Sequence, residues 1–123
     1  MSTVRNIEFF KTDSGRSYVT DYIEDLDPSS AAKVMKVMGA VADTENPPSH
    51  FFKKLQGHGE LWEIRVKNHR FLGFHVPAGE ASPRKLILVH AFKKQSDRTP
   101  TQEIEVALRR RDAYISRQGD LFT

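Results

Sequence analysis

Leu61-Trp62-Glu63-Ile64-Arg65-Val66, Phe71-Leu72-Gly73-Phe74-His75-Val76 and Lys85-Leu86-Ile87-Leu88-Val89-His90-Ala91-Phe92 are three short runs rich in β-branched and aromatic residues. Lys67-Asn68-His69 separates the first two, and the Pro- and Gly-bearing stretch Pro77–Pro83 separates the last two. The pattern predicts three strands joined by hairpin turns. Leu86 to Val89 has no polar alternation, as expected of a central strand covered on both faces. In the first run Trp62, Ile64 and Val66 fall on one face and Glu63 and Arg65 on the other, so one face is expected to be core and the other to present charge. Phe51 to Leu55 is a candidate short edge segment.

Upstream, Val4 to Phe10 alternates like a half-buried strand and ends near the turn residues Asp13-Ser14-Gly15. Tyr18, Val19, Tyr22, Ile23 and Leu26 recur at three- and four-residue spacing, which places them on one face of a helix. Asp27-Pro28 restarts the chain as a cap followed by proline in a first helical turn. A second amphipathic helix then carries Val34, Met38 and Val41 and must stop by Asn46-Pro47-Pro48. Downstream, Thr99-Pro100-Thr101-Gln102 has the makings of a capping box, so a third helix is predicted from there, turning Ile104, Ala107, Leu108 and Ile115 inward. The fold class is α+β, in the order β-α-α-β-β-β-α, as one domain over residues 1–123.

The chain is short at 123 residues, but long enough to bury a core without staples. It has no cysteine, which removes disulfides, thiolate metal sites and a cysteine nucleophile. Met1 to Phe10 does not read as a secretory signal and no run reaches the length of a membrane span, so a cytoplasmic protein is expected. Net charge is only +3 but unevenly spread: residues 1–50 hold 5 lysines and arginines against 8 acids, and residues 51–123 hold 14 against 8. The basic part points to a polyanionic partner, although solvation of an ordinary surface explains modest basicity equally well.

The five histidines, at positions 50, 58, 69, 75 and 90, form no pair at metal-ligand spacing, and no metal or other cofactor is expected. Gln56-Gly57-His58-Gly59-Glu60 lacks the Lys-Ser/Thr of a phosphate-binding loop and reads as a flexible connection. No Gly-x-Ser-x-Gly elbow is present. What remains is a concentration of cations on or beside the predicted strands: Lys53, Lys54, Arg65, Arg70, Lys93 and Lys94, with His69 and His90 nearby. Such a group suits phosphodiester chemistry, because guanidinium and ammonium groups position phosphate and stabilise charge that grows in the transition state. Plainer readings stand beside it. Arg65 can pair with Glu63, Lys93-Lys94 can solvate a strand end, Trp62 can be core, and His90 can be a hydrogen-bonded core histidine rather than a base.

Phe52-Lys53-Lys54-Leu55, Leu61-Trp62-Glu63-Ile64-Arg65, His69-Arg70-Phe71, His90-Ala91-Phe92-Lys93-Lys94 and Thr99-Pro100 through Glu103-Ile104-Glu105 together resemble the HigB-like, phage-associated branch of the RelE/ParE toxin superfamily. The resemblance is strongest from Phe51 to Tyr114. It implies a small twisted antiparallel sheet with a helix pair on one side and a basic concave surface on the other. It further implies a type II toxin acting as an endoribonuclease on messenger RNA, usually in the ribosomal A site, and neutralised by an antitoxin that often carries a helix-turn-helix. By matching motif positions, Arg65, Arg70, Lys93, Lys94 and His90 become the catalytic candidates, and Lys53, Lys54 and His69 the RNA-binding ones. His90, His69 and Glu63 all stand as proton-transfer groups, and Tyr114 is open between function and packing. The alternative within the superfamily is a ParE-like toxin that binds and inhibits DNA gyrase. A non-catalytic RNA-recognition motif fits least, because Phe71 and Phe74 have opposite strand parity.

Overall fold

The computed structural model describes residues 3–77, 83–95 and 99–121, with side chains through Arg117. Among the described residues the order is β1 (Arg5–Phe9), α1 (Tyr18–Glu24), α2 (Pro28–Asp43), β2 (Phe52–Lys54), β3 (Leu61–Val66), β4 (His69–Val76), β5 (Arg84–Lys93) and α3 (Thr101–Leu121). The α+β class is as expected, with the Phe51–Leu55 segment supplying a strand of its own. Most of the turn expected over Pro77–Pro83 lies outside the described residues.

The sheet runs β1-β5-β4-β3-β2. Its β2–β5 neighbours pair antiparallel, but β1 lies parallel to β5, so the purely antiparallel sheet is corrected to a mixed one. The physical reason is the connection. β1 is followed by the α1–α2 pair rather than by a hairpin turn, so no local geometry forces it to run against its neighbour.

Local chemistry explains the first two helices. Ser17 caps α1 by accepting from the Thr20 N–H, and Asp27 caps α2 by accepting from the Ser30 N–H, with Pro28 in the first turn. The far end of α2 is closed by Arg5, whose buried guanidinium donates to the carbonyls of Val41, Thr44 and Glu45. A cation there also complements the negative end of the helix dipole.

Each face of the sheet has its own core. On one, Val19, Val34, Met38 and Val41 from the helix pair meet Ile64, Val66, Phe71, Leu86 and Leu88. On the other, Ile104 and Ala107 of α3 meet Leu61, Leu72, Phe74, Ile87, Val89 and Phe92. A fully buried side chain of this size contributes about 1.5–3 kcal/mol, so both layers are needed to stabilise the sheet. Ile115, expected to face inward, is 52% exposed. The inward position at that level belongs to Tyr114, whose ring meets Phe74 edge-on at 5.6 Å.

The register of β4 on β5 slips between Leu72 and Gly73: Leu72 lies opposite His90, but Gly73 lies opposite Leu88. Val89 is the extra residue of a bulge, which turns Val89 and His90 both toward α3. Gly73 has no room for a side chain there. A Cβ would lie 2.4 Å from the Ile87 carbonyl oxygen. Gly73→Ala is therefore expected to destabilise the fold by at least the roughly 1–3 kcal/mol of an overpacked core. Chemical denaturation checks this, and a midpoint equal to that of the parent protein counts against the bulge.

Candidate functional site

α3 packs on β4 and β5 and leaves the β2–β3 side of its face open. A cleft of about 440 Å³ opens there, lined by Lys53, Lys54, Leu55, Gln56, His58, Glu63, Arg65, Lys94, Thr99 and Ile104. Strand pairing accounts for its basic wall. Lys53 is opposite Glu63, and Arg65 is opposite Arg70, which is opposite Phe92. Directly opposed residues share a face, so these side chains all stand on the α3 side of the sheet.

Glu63 is the centre of the arrangement. Sequence parity assigned it to a charge-presenting face, but its side chain is only 3% exposed, because Leu61 and the start of α3 cover that face. Its Oε1 lies 3.3 Å from Arg65 Nε and 3.7 Å from Arg70 Nε, and its Oε2 accepts from the Thr99 hydroxyl at 2.7 Å. One carboxylate thus offsets two guanidiniums that the strand register sets side by side. Arg70 is buried, and its Nη1 donates to the carbonyls of Lys67 and His69. Burial lowers its pKa, Glu63 raises it, and Arg65 lowers it. Arg65 is more open, with its side chain 28% exposed toward the cleft. At the rim Lys54 pairs with Glu60 at 3.1 Å.

The expected site residues are divided among three places. Lys53, Lys54, Arg65 and Lys94 line the cleft, with Arg70 behind Glu63. His69 and Lys93 are opposite one another on the helix-pair face, where His69 Nδ1 and the Tyr22 hydroxyl share a hydrogen bond of 2.6 Å. Burial pushes the His69 pKa down, helped by Lys93. His90 lies beneath α3 and lines no part of the cleft. Its Nε2 donates to Glu103 at 2.7 Å, and Arg110 donates to its Nδ1 at 3.1 Å. Accepting from an arginine requires a bare ring nitrogen, so this is the neutral Nε2–H tautomer. Burial lowers its pKa, against the pull of Glu103 and with the push of Arg110.

Sequence reading passed over several of these groups. His58, in the loop read as a flexible connection, is the histidine that lines the cleft, and a Cβ at the adjoining Gly59 would come within 2.7 Å of Arg111 on α3. Thr99, the expected helix cap, lies two residues before α3, which begins at Thr101, and its hydroxyl donates to Glu63. Glu103 and Arg110 are seven residues apart on α3, which places them on one helical face. That spacing was the available signal.

A model of the family described as phage derived protein Gp49-like matches residues 21–112. The chain belongs to the Gp49-like family. The match spans every residue lining the cleft and leaves out β1 and the end of α3. Gp49-like proteins are associated with RelE/HigB-like toxins, so membership fits the toxin of a toxin–antitoxin pair with an antitoxin as its partner. Comparison with curated proteins finds no match. Among the described residues, no helix of this Gp49-like chain is long and apolar enough to cross a membrane.

At the opposite end of the helix-pair face, burial together with Arg84 and Arg5 lowers the His75 pKa from 6.5 to about 4. His75 is therefore neutral in the native protein while the unfolded chain takes up its proton below pH 6.5. Its contribution to stability is complete above pH 6.5 and is lost as the pH falls toward 4. A shift of this size corresponds to roughly 2–3 kcal/mol after allowance for partial exposure. Unfolding measured across pH 4–7 is expected to show that loss in the parent protein and to show it flattened in His75→Gln. Parallel curves for the two proteins would refute the assignment.

Proposed function

We propose that the chain is the toxin of a type II toxin–antitoxin pair, an endoribonuclease that cuts messenger RNA, in the ribosomal A site, and is neutralised by a helix-turn-helix antitoxin. The observation that carries this reading is the cleft itself, in which Lys53, Arg65 and Lys94 surround a buried Glu63–Arg70 pair tied to the Thr99 hydroxyl. Cations set around an open recess are what a phosphodiester substrate requires, and family membership supports the same reading.

RNA carries its own nucleophile, the 2′-hydroxyl, so the protein has only to orient it, receive its proton and offset the charge of a five-coordinate phosphorus. The 2′-oxygen loses its proton to a base and bonds to phosphorus, the bond from phosphorus to the 5′-oxygen breaks, and that oxygen is protonated as it leaves. The products are a 2′,3′-cyclic phosphate and a 5′-hydroxyl. We assign phosphate binding to Arg65, Lys94 and Lys53, with Lys54 at the rim, and proton transfer to His58, the cleft histidine. Arg70 acts through Glu63. Lys93 and His69 meet the same RNA only where it passes around the β3–β4 turn, and His90 has a structural part beneath α3.

Expression of the chain alone is expected to arrest growth, and co-expression of a neighbouring antitoxin to relieve it. Transcripts should be cut, with cyclic phosphate and 5′-hydroxyl ends, and methylation of the scissile 2′-hydroxyl should stop cleavage. Intact transcripts with accumulating DNA breaks would support gyrase inhibition instead, and 3′-hydroxyl with 5′-phosphate ends would sink the transesterification.

A further inference from the structure

Away from the cleft, α2 ends before it has covered its face of the sheet. Beyond its last turn lies a second recess of about 350 Å³, lined by side chains of all five strands or the loop after α2, among them Arg5, Phe52, Trp62, His75 and Arg84. The core beneath the helix pair is uncharged and hydrophobic, whereas this recess sets Arg5, Arg84 and His75 beside its aromatic rings. Arg5 and Arg84 are direct partners in the parallel β1–β5 pair, so two like charges stand side by side. Such a pair is destabilising unless something negative joins it. Arg84 is exposed and forms no ion pair among the described residues, and Glu45 is the one acid lining the recess.

Two polar atoms here are buried and lack a hydrogen-bond partner among the described residues: Nε of Arg5 and Nε2 of His75. Arg5 itself is 2% exposed, and its terminal nitrogens are engaged by the carbonyls at the end of α2. An orphaned buried donor costs about 1–3 kcal/mol, and two in one recess call for a partner. Phe52 and Trp62 stack at 4.7 Å and His75 stands edge-on to both, so the wall is built of mutually packed rings. We propose that this recess is a second binding site, separate from the cleft, for a small phosphate-bearing anion held by Arg84 and Arg5 with His75 as a neutral hydrogen-bond partner. The source of the phosphate is inorganic phosphate or a mononucleotide, both of which present the same dianionic head. The site does not depend on the nuclease reading, since β1 lies outside the family match and none of these residues lines the cleft.

The test is a titration of the full chain with millimolar inorganic phosphate, and in parallel with adenosine monophosphate, followed by NMR of the histidine rings. A saturable shift of the His75 signals is expected, with the His75 titration midpoint rising from its low value because a nearby anion favours the imidazolium. Arg84→Gln, an exposed substitution that also relieves the Arg5–Arg84 repulsion, should weaken binding roughly tenfold or more without lowering the melting temperature. Arg65→Gln should leave binding unchanged. Tighter binding of the nucleotide identifies that source, weaker binding identifies inorganic phosphate, and equal binding shows that the recess holds the phosphate head alone. Absence of a saturable His75 response to both ligands, or the same response in Arg84→Gln, overturns the proposal. So does a response lost with Arg65→Gln, which would place the anion in the cleft.

Discussion

Glu63→Ala is expected to lower the free energy of unfolding by about 3–5 kcal/mol, enough to unfold a marginal domain at growth temperature. The magnitude follows from what the carboxylate leaves behind. Arg65 and Arg70 are opposite one another on adjacent strands, and Glu63 Oε1 lies within 3.7 Å of both. Without it, two cations face each other in a region where Arg70 has a side chain only 10% exposed, and the Thr99 hydroxyl loses its acceptor. Arg70→Ala should cost a comparable amount, since it leaves Glu63 buried with less compensation and frees the carbonyls of Lys67 and His69. Loss of toxicity in either variant would then reflect loss of fold. Glu63→Gln separates the contributions: the amide keeps the Thr99 contact but not the charge, so its stability should fall between Glu63→Ala and the parent. Denaturation midpoints near the parent value in both alanine variants would show that the triad carries little of the fold.

Arg65→Gln and Lys94→Ala are expected to do the reverse, lowering RNA cleavage by about 10²–10³-fold each while leaving the melting temperature nearly unchanged. Both residues line the cleft, and the Arg65 side chain keeps an open portion that Arg70 lacks. Removing a cation that meets charge developing on phosphorus costs rate, whereas removing a partly solvated cation from a strand costs little stability. The discriminating measurement is single-turnover cleavage of a defined RNA beside thermal melting of the same preparations. His90→Gln is the useful contrast. Because His90 sits between Glu103 and Arg110 under α3, its loss should loosen α3 and lower stability before it touches the cleavage step. Cleavage abolished in a fully stable His90→Gln protein would move the proton-transfer role away from His58.

The strands from Leu61 onward were legible because hydrophobic period and turn residues are local signals. The caps at Ser17 and Asp27 were legible for the same reason. Helix α3 was placed by its Thr-Pro start, yet its partners were not. Tyr114 rather than Ile115 faces the sheet, since a one-residue difference in helical phase is settled only by what the helix packs against. The cations were found as a group but not as an arrangement. Strand register sends Lys93 with His69 to the helix pair, whereas Lys94, one residue beyond the end of β5, lines the cleft.

Two features lay beyond any reading of single residues. The bulge at Val89 shifts strand parity by one and so delivers His90 to α3, because the fit of Gly73 against the Ile87 carbonyl is a property of two strands together. Glu63 looked like a surface acid and is the buried counter-charge of two arginines, which emerges only when β3 and β4 pair and Thr99 closes over them. By itself the sequence determined the α+β class, the position of most strands and helices and the presence of a basic group, since these depend on periodicity, capping and composition within short windows. Only the tertiary structure decided the parallel placement of β1, the split of the cations between two faces and the identity of the cleft histidine. Those depend on pairing and burial between segments far apart in the chain, where the energy belongs to the contact and to neither residue alone.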